Sequence, residues 1–110
     1  MKFGLKDKDL QEIIKIIGDC EHVKSAKIFG SRAMDNYKPG SDVDLAIFGS
    51  DVTLDDVLQI NSMLNEETLM PYMFDVLHYE KLDNKELQKH IDEKGLTIFV
   101  SGSIKKNKIN

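Results

Sequence analysis

The feature that most constrains this chain is a pair of aspartates set inside an apolar run, Ser41-Asp42-Val43-Asp44-Leu45-Ala46-Ile47-Phe48. Val43, Leu45 and Ile47 recur at every second position, the pattern of a strand that buries one face. Residues two apart on a strand point to the same side, so Asp42 and Asp44 are expected to project together from the opposite face. Aspartate is depleted inside strands, and neighbouring carboxylates repel. A turn or cap after Gly40-Ser41 accounts for Asp42 alone. It does not account for Asp44, flanked by Val43 and Leu45. A divalent cation between the two would remove the repulsion and make the pair a binding site.

Two further stretches carry chemistry-bearing residues. Upstream, Val23 to Phe29 reads as a strand that ends at Gly30. Ser31 is expected to cap a short helix over Arg32 to Asn36, whose first N–H groups would suit an anion such as a triphosphate. Gly30 would let phosphates approach backbone with no Cβ in the way. Arg32 suits a bidentate phosphate contact, or is simply an exposed arginine; Lys38 is a weaker candidate. Downstream, Tyr72 to His78 reads as a strand with Asp75 alone between Phe74 and Val76, a second misfit of the Asp44 kind.

Gly30-Ser31, ten intervening residues, Asp42-x-Asp44 and a later lone strand aspartate, Asp75, together resemble the signature of the DNA polymerase beta-type nucleotidyltransferase superfamily. The shortness of the chain resembles the minimal branch of that superfamily, the antitoxins paired with HEPN-type toxins. The resemblance covers residues 1 to 100 or so. It implies an α/β (α+β) nucleotidyltransferase fold, with a small mixed sheet, helices mainly on one face and the aspartates on the other. It implies that Asp42, Asp44 and Asp75 are both catalytic and metal-binding, holding Mg²⁺, in a two-metal site, under a nucleoside triphosphate. Nucleotide contacts would come from Gly30, Ser31, Arg32 and Ser41.

The remaining segments read as scaffold. Leu10, Ile13, Ile14 and Ile17 recur at helical spacing, with Asp7 and Asp9 near the start and Gly18 at the end. Thr53-Leu54-Asp55-Asp56 opens a second helix with a capping box, and Leu54, Val57, Leu58, Ile60 and Leu64 form its expected apolar face to about Glu67. Asp83 is expected to cap a third helix, stapled by Leu82 and Leu87 and ended by Gly95. Thr97 to Val100 suits a last strand. Met63, Met70 and Met73 read as core filler. His22, His78 and His90 show no spacing of a ligand set, and His78 reads as a surface residue. These elements make one domain over 1–102; residues 103–110, with Lys105, Lys106 and Lys108, read as a disordered basic tail.

Composition narrows the function classes. With 110 residues, one modest core is expected. A net charge of −4 disfavours nucleic acid as the main partner. Cys20 is the single cysteine, which excludes an internal disulfide or a cysteine-based zinc set and fits a reducing compartment. No signal-peptide pattern or bilayer-length apolar run occurs, so a cytoplasmic protein with no membrane partner is expected.

Larger members of the superfamily use extra domains to hold the acceptor, and no length is left here for one. The rest of the acceptor site is expected from a partner protein or a second copy of the chain. The antitoxin resemblance implies AMP transfer from ATP to a hydroxyl, a tyrosine, of a cognate HEPN RNase toxin. Two alternatives stand beside it: transfer to a small-molecule hydroxyl such as an aminoglycoside-like antibiotic, and a non-catalytic module that binds its toxin. The second does not need an intact set of three carboxylates.

Overall fold

The computed structural model describes residues 1–102 of the chain; the expected basic tail lies outside the described residues. Three helices, α1 (Asp7–Gly18), α2 (Leu54–Glu66) and α3 (Lys85–Lys94), accompany four strands, β1 (Ser25–Phe29), β2 (Val43–Phe48), β3 (Phe74–His78) and β4 (Leu96–Val100). Single 3₁₀ turns sit at Gly30–Arg32 and Tyr79–Lys81. The sheet order is β3-β2-β1-β4. β1 runs antiparallel to β2 and β4, while β2 and β3 are parallel, joined by the α2 crossover. The sheet is mixed, as the resemblance implies.

Side-chain parity sorts the sheet into two faces. Ala26 and Ile28 of β1, Val43, Leu45 and Ile47 of β2, and Phe74 and Val76 of β3 join α1 and α2 in the main core. Ile13, Ile17, Ile28, Leu45 and Ile47 are fully buried there. Each such side chain contributes about 1.5–3 kcal/mol by leaving water. Phe29 and Ala46 point the other way and meet Ile91 of α3, with Phe48, Leu77, Leu82 and Leu87 around them. Two helices therefore cover one face, and α3 covers part of the face that carries the aspartates.

Several local expectations change. The turn after β1 is a single 3₁₀ turn, not a helix to Asn36, because the N–H groups of Ala33 and Met34 both donate to the Gly30 carbonyl and Asp35 turns to a positive φ of 60°. Ser31 makes no cap. With no helix there, no helix dipole acts at this turn. The α2 capping box forms between Thr53 and Asp56 as expected. Leu54 and Leu58 are nevertheless 72% and 56% exposed, because α2 turns Ile60 and Leu64 to the core. Asn84, not Asp83, caps α3, its Oδ1 accepting the Leu87 N–H at 3.0 Å. Met63 and Met70 pack against the core, whereas Met73 is 64% exposed at the start of β3. His78 is buried, not on the surface, and its Nε2 lies 2.8 Å from the Gly49 carbonyl.

Candidate active site

β2 is paired on both sides, and Asp44 lies opposite Phe29 of β1 and Asp75 of β3. Side chains of a registered pair stand on the same face, with strands about 4.8 Å apart. Asp44 and Asp75 therefore rise side by side from the face that α3 shares. Asp42 directly precedes β2. Burial raises the Asp44 pKa above the usual 3.8, and the neighbouring charges of Asp75 and Asp42 raise it further. Asp42 and Asp75 are exposed and Asp44 is half-buried. None of the three carboxylates accepts a hydrogen bond among the described residues. Two charges at such a spacing cost on the order of 1 kcal/mol where water screens them, and more where burial does not. Among the described residues the three do not form a set whose ligand atoms all lie within 4.8 Å of one another.

Gly30 closes the other side of this group. Its φ is +75°, the left-handed region where a Cβ is strained, and a Cβ there would run into the Asp44 Oδ2. The glycine thus lets the turn lie directly on the Asp44 carboxylate. Ser31 follows, half-buried, its hydroxyl without a hydrogen bond among the described residues.

Arg32 is turned inward. It is 3% exposed, its Nε and Nη2 donate to the Ser41 carbonyl at 3.1 and 2.8 Å, and Nη1 donates to the Phe3 carbonyl at 2.9 Å. The guanidinium lies between the rings of Tyr37 and Tyr72, 5.3 and 5.2 Å from their centroids. Tyr72 donates in turn to the buried Asp9 at 3.1 Å. A fork suited to a phosphate grips the backbone beside Asp42 instead, and so ties the loop after Gly30 to the start of β2. Ser41 belongs to a tight turn: its N–H donates to the Lys38 carbonyl at 2.9 Å and its Oγ accepts the Lys38 N–H at 2.8 Å.

His90 joins the group although no motif marks it. It reaches Gly30 from α3, its Nε2 accepting the Gly30 N–H at 3.2 Å. Its place on α3 beside Leu87 and Ile91, the helix's apolar positions, is the only sequence signal it carries. A second cluster, Cys20, His22 and Asp56, lies beyond the start of β1, with ligand atoms within 4.8 Å. There the Asp56 Oδ2 already accepts from Thr53 N at 2.9 Å and lies 2.7 Å from His22 Nδ1.

Carboxylates on adjacent strands, facing a glycine turn of bare backbone, are hard oxygen donors of the kind a divalent cation takes. The comparisons with known proteins make the class specific. The family model for polymerase beta nucleotidyltransferases matches residues 11–104, and the chain belongs to that family: it is a nucleotidyltransferase. Solved structures agree on the fold. A toxin–antitoxin with AMP-PNP superposes with a TM-score of 0.68 at 12% identity, covering 94% of this chain and 80% of that one. The toxin–antitoxin MntA-HepT gives 0.66 at 14%, covering 93% and 79%. A putative nucleotidyltransferase from Sulfolobus solfataricus gives 0.55 at 18%, covering 87% and 81%. No curated protein matches the sequence.

Proposed function

We propose that this nucleotidyltransferase is an antitoxin that transfers AMP from ATP to a tyrosine hydroxyl of a cognate HEPN-type toxin. The observation that carries the reading is the Asp44–Asp75 pair beside the Gly30 turn, with Asp42 next to it and none of the three hydrogen-bonded among the described residues. Hard oxygen donors that repel one another and lack protein donors fit Mg²⁺, and Asp42, Asp44 and Asp75 would hold it. Bound there, Mg²⁺ would supply neutralising charge for the triphosphate and for the leaving pyrophosphate. Further support comes from the fold neighbours, which include toxin–antitoxin complexes, one of them with AMP-PNP.

In this reading the chain's own residues mostly place the reactants. The Gly30–Ser31 turn lets phosphate oxygens approach backbone, and the Ser31 hydroxyl is available to donate to them. Arg32 keeps Ser41 and Asp42 in place through the Ser41 carbonyl. Asp75, exposed on β3, is the carboxylate open to take the proton of the acceptor hydroxyl. The acceptor oxygen bonds to the α-phosphorus as the bond to pyrophosphate breaks. Incubation with Mg²⁺, ATP and the HEPN-type product of a neighbouring gene is expected to add one adenylyl mass to that product. No mass gain would overturn the reading. A D42N/D44N double variant that still silenced the toxin fully would make binding, not transfer, the function.

A further inference from the structure

We infer that His90 is a positioning residue of the nucleotide site, which holds the Gly30–Ser31 turn in place from α3; the inference rests on the nucleotidyl-transfer reading of that site. The turn follows the end of β1, and no side chain of its own caps it. The β1–β4 ladder stops at Ile28 opposite Leu96, so β4 gives no partner to Gly30. His90 supplies one. Its Nε2 accepts the Gly30 N–H at 3.2 Å, across 60 residues of sequence. The accepting Nε2 requires a neutral ring with its proton on Nδ1.

The imidazole is itself held. It meets the Phe29 ring edge-on, centroids 6.0 Å apart at 76°. The next residue, Ile91, is fully buried against Phe29 and Ala46 and fixes α3 at this height on the sheet. Gly30 in turn lies on the Asp44 carboxylate. The path His90–Gly30–Asp44 therefore connects a helix to the carboxylate group through one hydrogen bond and one close contact. Without the acceptor, the turn that should meet the triphosphate loses its hydrogen bond to α3, while Asp44 stays where β2 puts it.

The test uses the full chain, with the Gly30 amide read by NMR and the site read by nucleotide binding and kinetics. In the wild-type protein, a scalar coupling between the Gly30 amide nitrogen and His90 Nε2 is expected by NMR. Amide exchange at Gly30 is expected to quicken about tenfold in His90→Leu, the change that goes with one lost hydrogen bond. His90→Leu retains a side chain able to pack on Phe29 but accepts nothing; His90→Gln offers an amide oxygen. Affinity for AMP-PNP with Mg²⁺ is expected to fall about five- to tenfold in His90→Leu and to recover in His90→Gln, with the KM for ATP rising more than kcat falls. Equal Gly30 exchange in wild type and His90→Leu overturns the inference, as does His90→Gln binding as weakly as His90→Leu. A wild-type protein that bound no AMP-PNP would instead sink the reading of the site. The Gly30 amide would still decide whether His90 holds the turn.

Discussion

At the α2 corner, Asp56 accepts the Thr53 N–H and lies 2.7 Å from His22, and these partners lower its pKa to about 2. At the far end of β1, Asp44 has no hydrogen-bond partner among the described residues, and burial with Asp75 and Asp42 pushes its pKa up. The surroundings of Asp56 favour its charge; those of Asp44 disfavour it. A carboxylate of the first kind holds a helix end together. One of the second kind does not hold the fold together at neutral pH, and fits the cation site proposed above.

The widest gap between the two should appear on mutation. Asp44→Asn is expected to cut nucleotidyl transfer about a thousandfold or more, the scale of several kcal/mol of lost transition-state stabilisation. The same change should raise the melting temperature at pH 7, because it removes a repelling charge. The sign follows from linkage. A carboxyl whose folded pKa is raised favours the fold most below its ordinary value of 3.8, and that contribution is lost as pH rises through the folded value. The excess stability of the variant should therefore shrink on acidification. An Asp44→Asn protein less stable than wild type at pH 7 would break the contrast.

Thr53→Ala probes the opposite region with a smaller effect. Thr53 Oγ1 accepts the Asp56 N–H at 3.1 Å as the N-cap of α2. Its loss is expected to cost about 1 kcal/mol. For a domain of this size that lowers the melting temperature by roughly 4–8 °C. Transfer activity should be unchanged, since α2 covers the face away from the aspartates. Calorimetry with an initial-rate assay checks both halves. Lost activity at full stability would mean that the two ends of the sheet communicate.

The aspartate end was the more legible of the two in sequence. Asp44 and Asp75 stand between apolar neighbours in runs of strand periodicity, so both their face and their misfit could be read locally. The parallel pairing that sets Asp44 beside Asp75 comes from the α2 crossover, and only the family resemblance carried it. Arg32 was legible as a phosphate-type cation but not as an inward-facing one, because its partners Phe3, Tyr37 and Tyr72 come from three separate segments. His90 escaped for a similar reason. It meets Gly30 only because Ile91 buries α3 against the aspartate face, and no local pattern encodes that docking. The Thr53–Asp56 box was read directly, being a contact three residues long. The approach of His22 to the same Asp56, 34 residues away, was not.

That approach gives the smallest and sharpest test of the comparison. The hydrogen bond to Asp56 raises the His22 pKa above the usual 6.5, with Glu21 and Asp51 adding smaller pulls and partial burial opposing them. A raised histidine favours the fold below 6.5 and loses that contribution as pH climbs through its folded value. Asp56, with its pKa lowered, contributes above 3.8 and loses its share as pH falls toward about 2. The pair is thus fully charged and most cohesive between roughly pH 4 and 6.5. An NMR titration of the His22 ring should find a midpoint above 6.5, and Asp56→Asn should bring it back down. Because His22 is 41% exposed, its coupling to Glu21 and Asp51 should fade with added salt, while the part owed to the Asp56 hydrogen bond persists. A His22 midpoint that does not move in Asp56→Asn would mean that His22 does not partner this carboxylate and that the Thr53 N–H alone holds it.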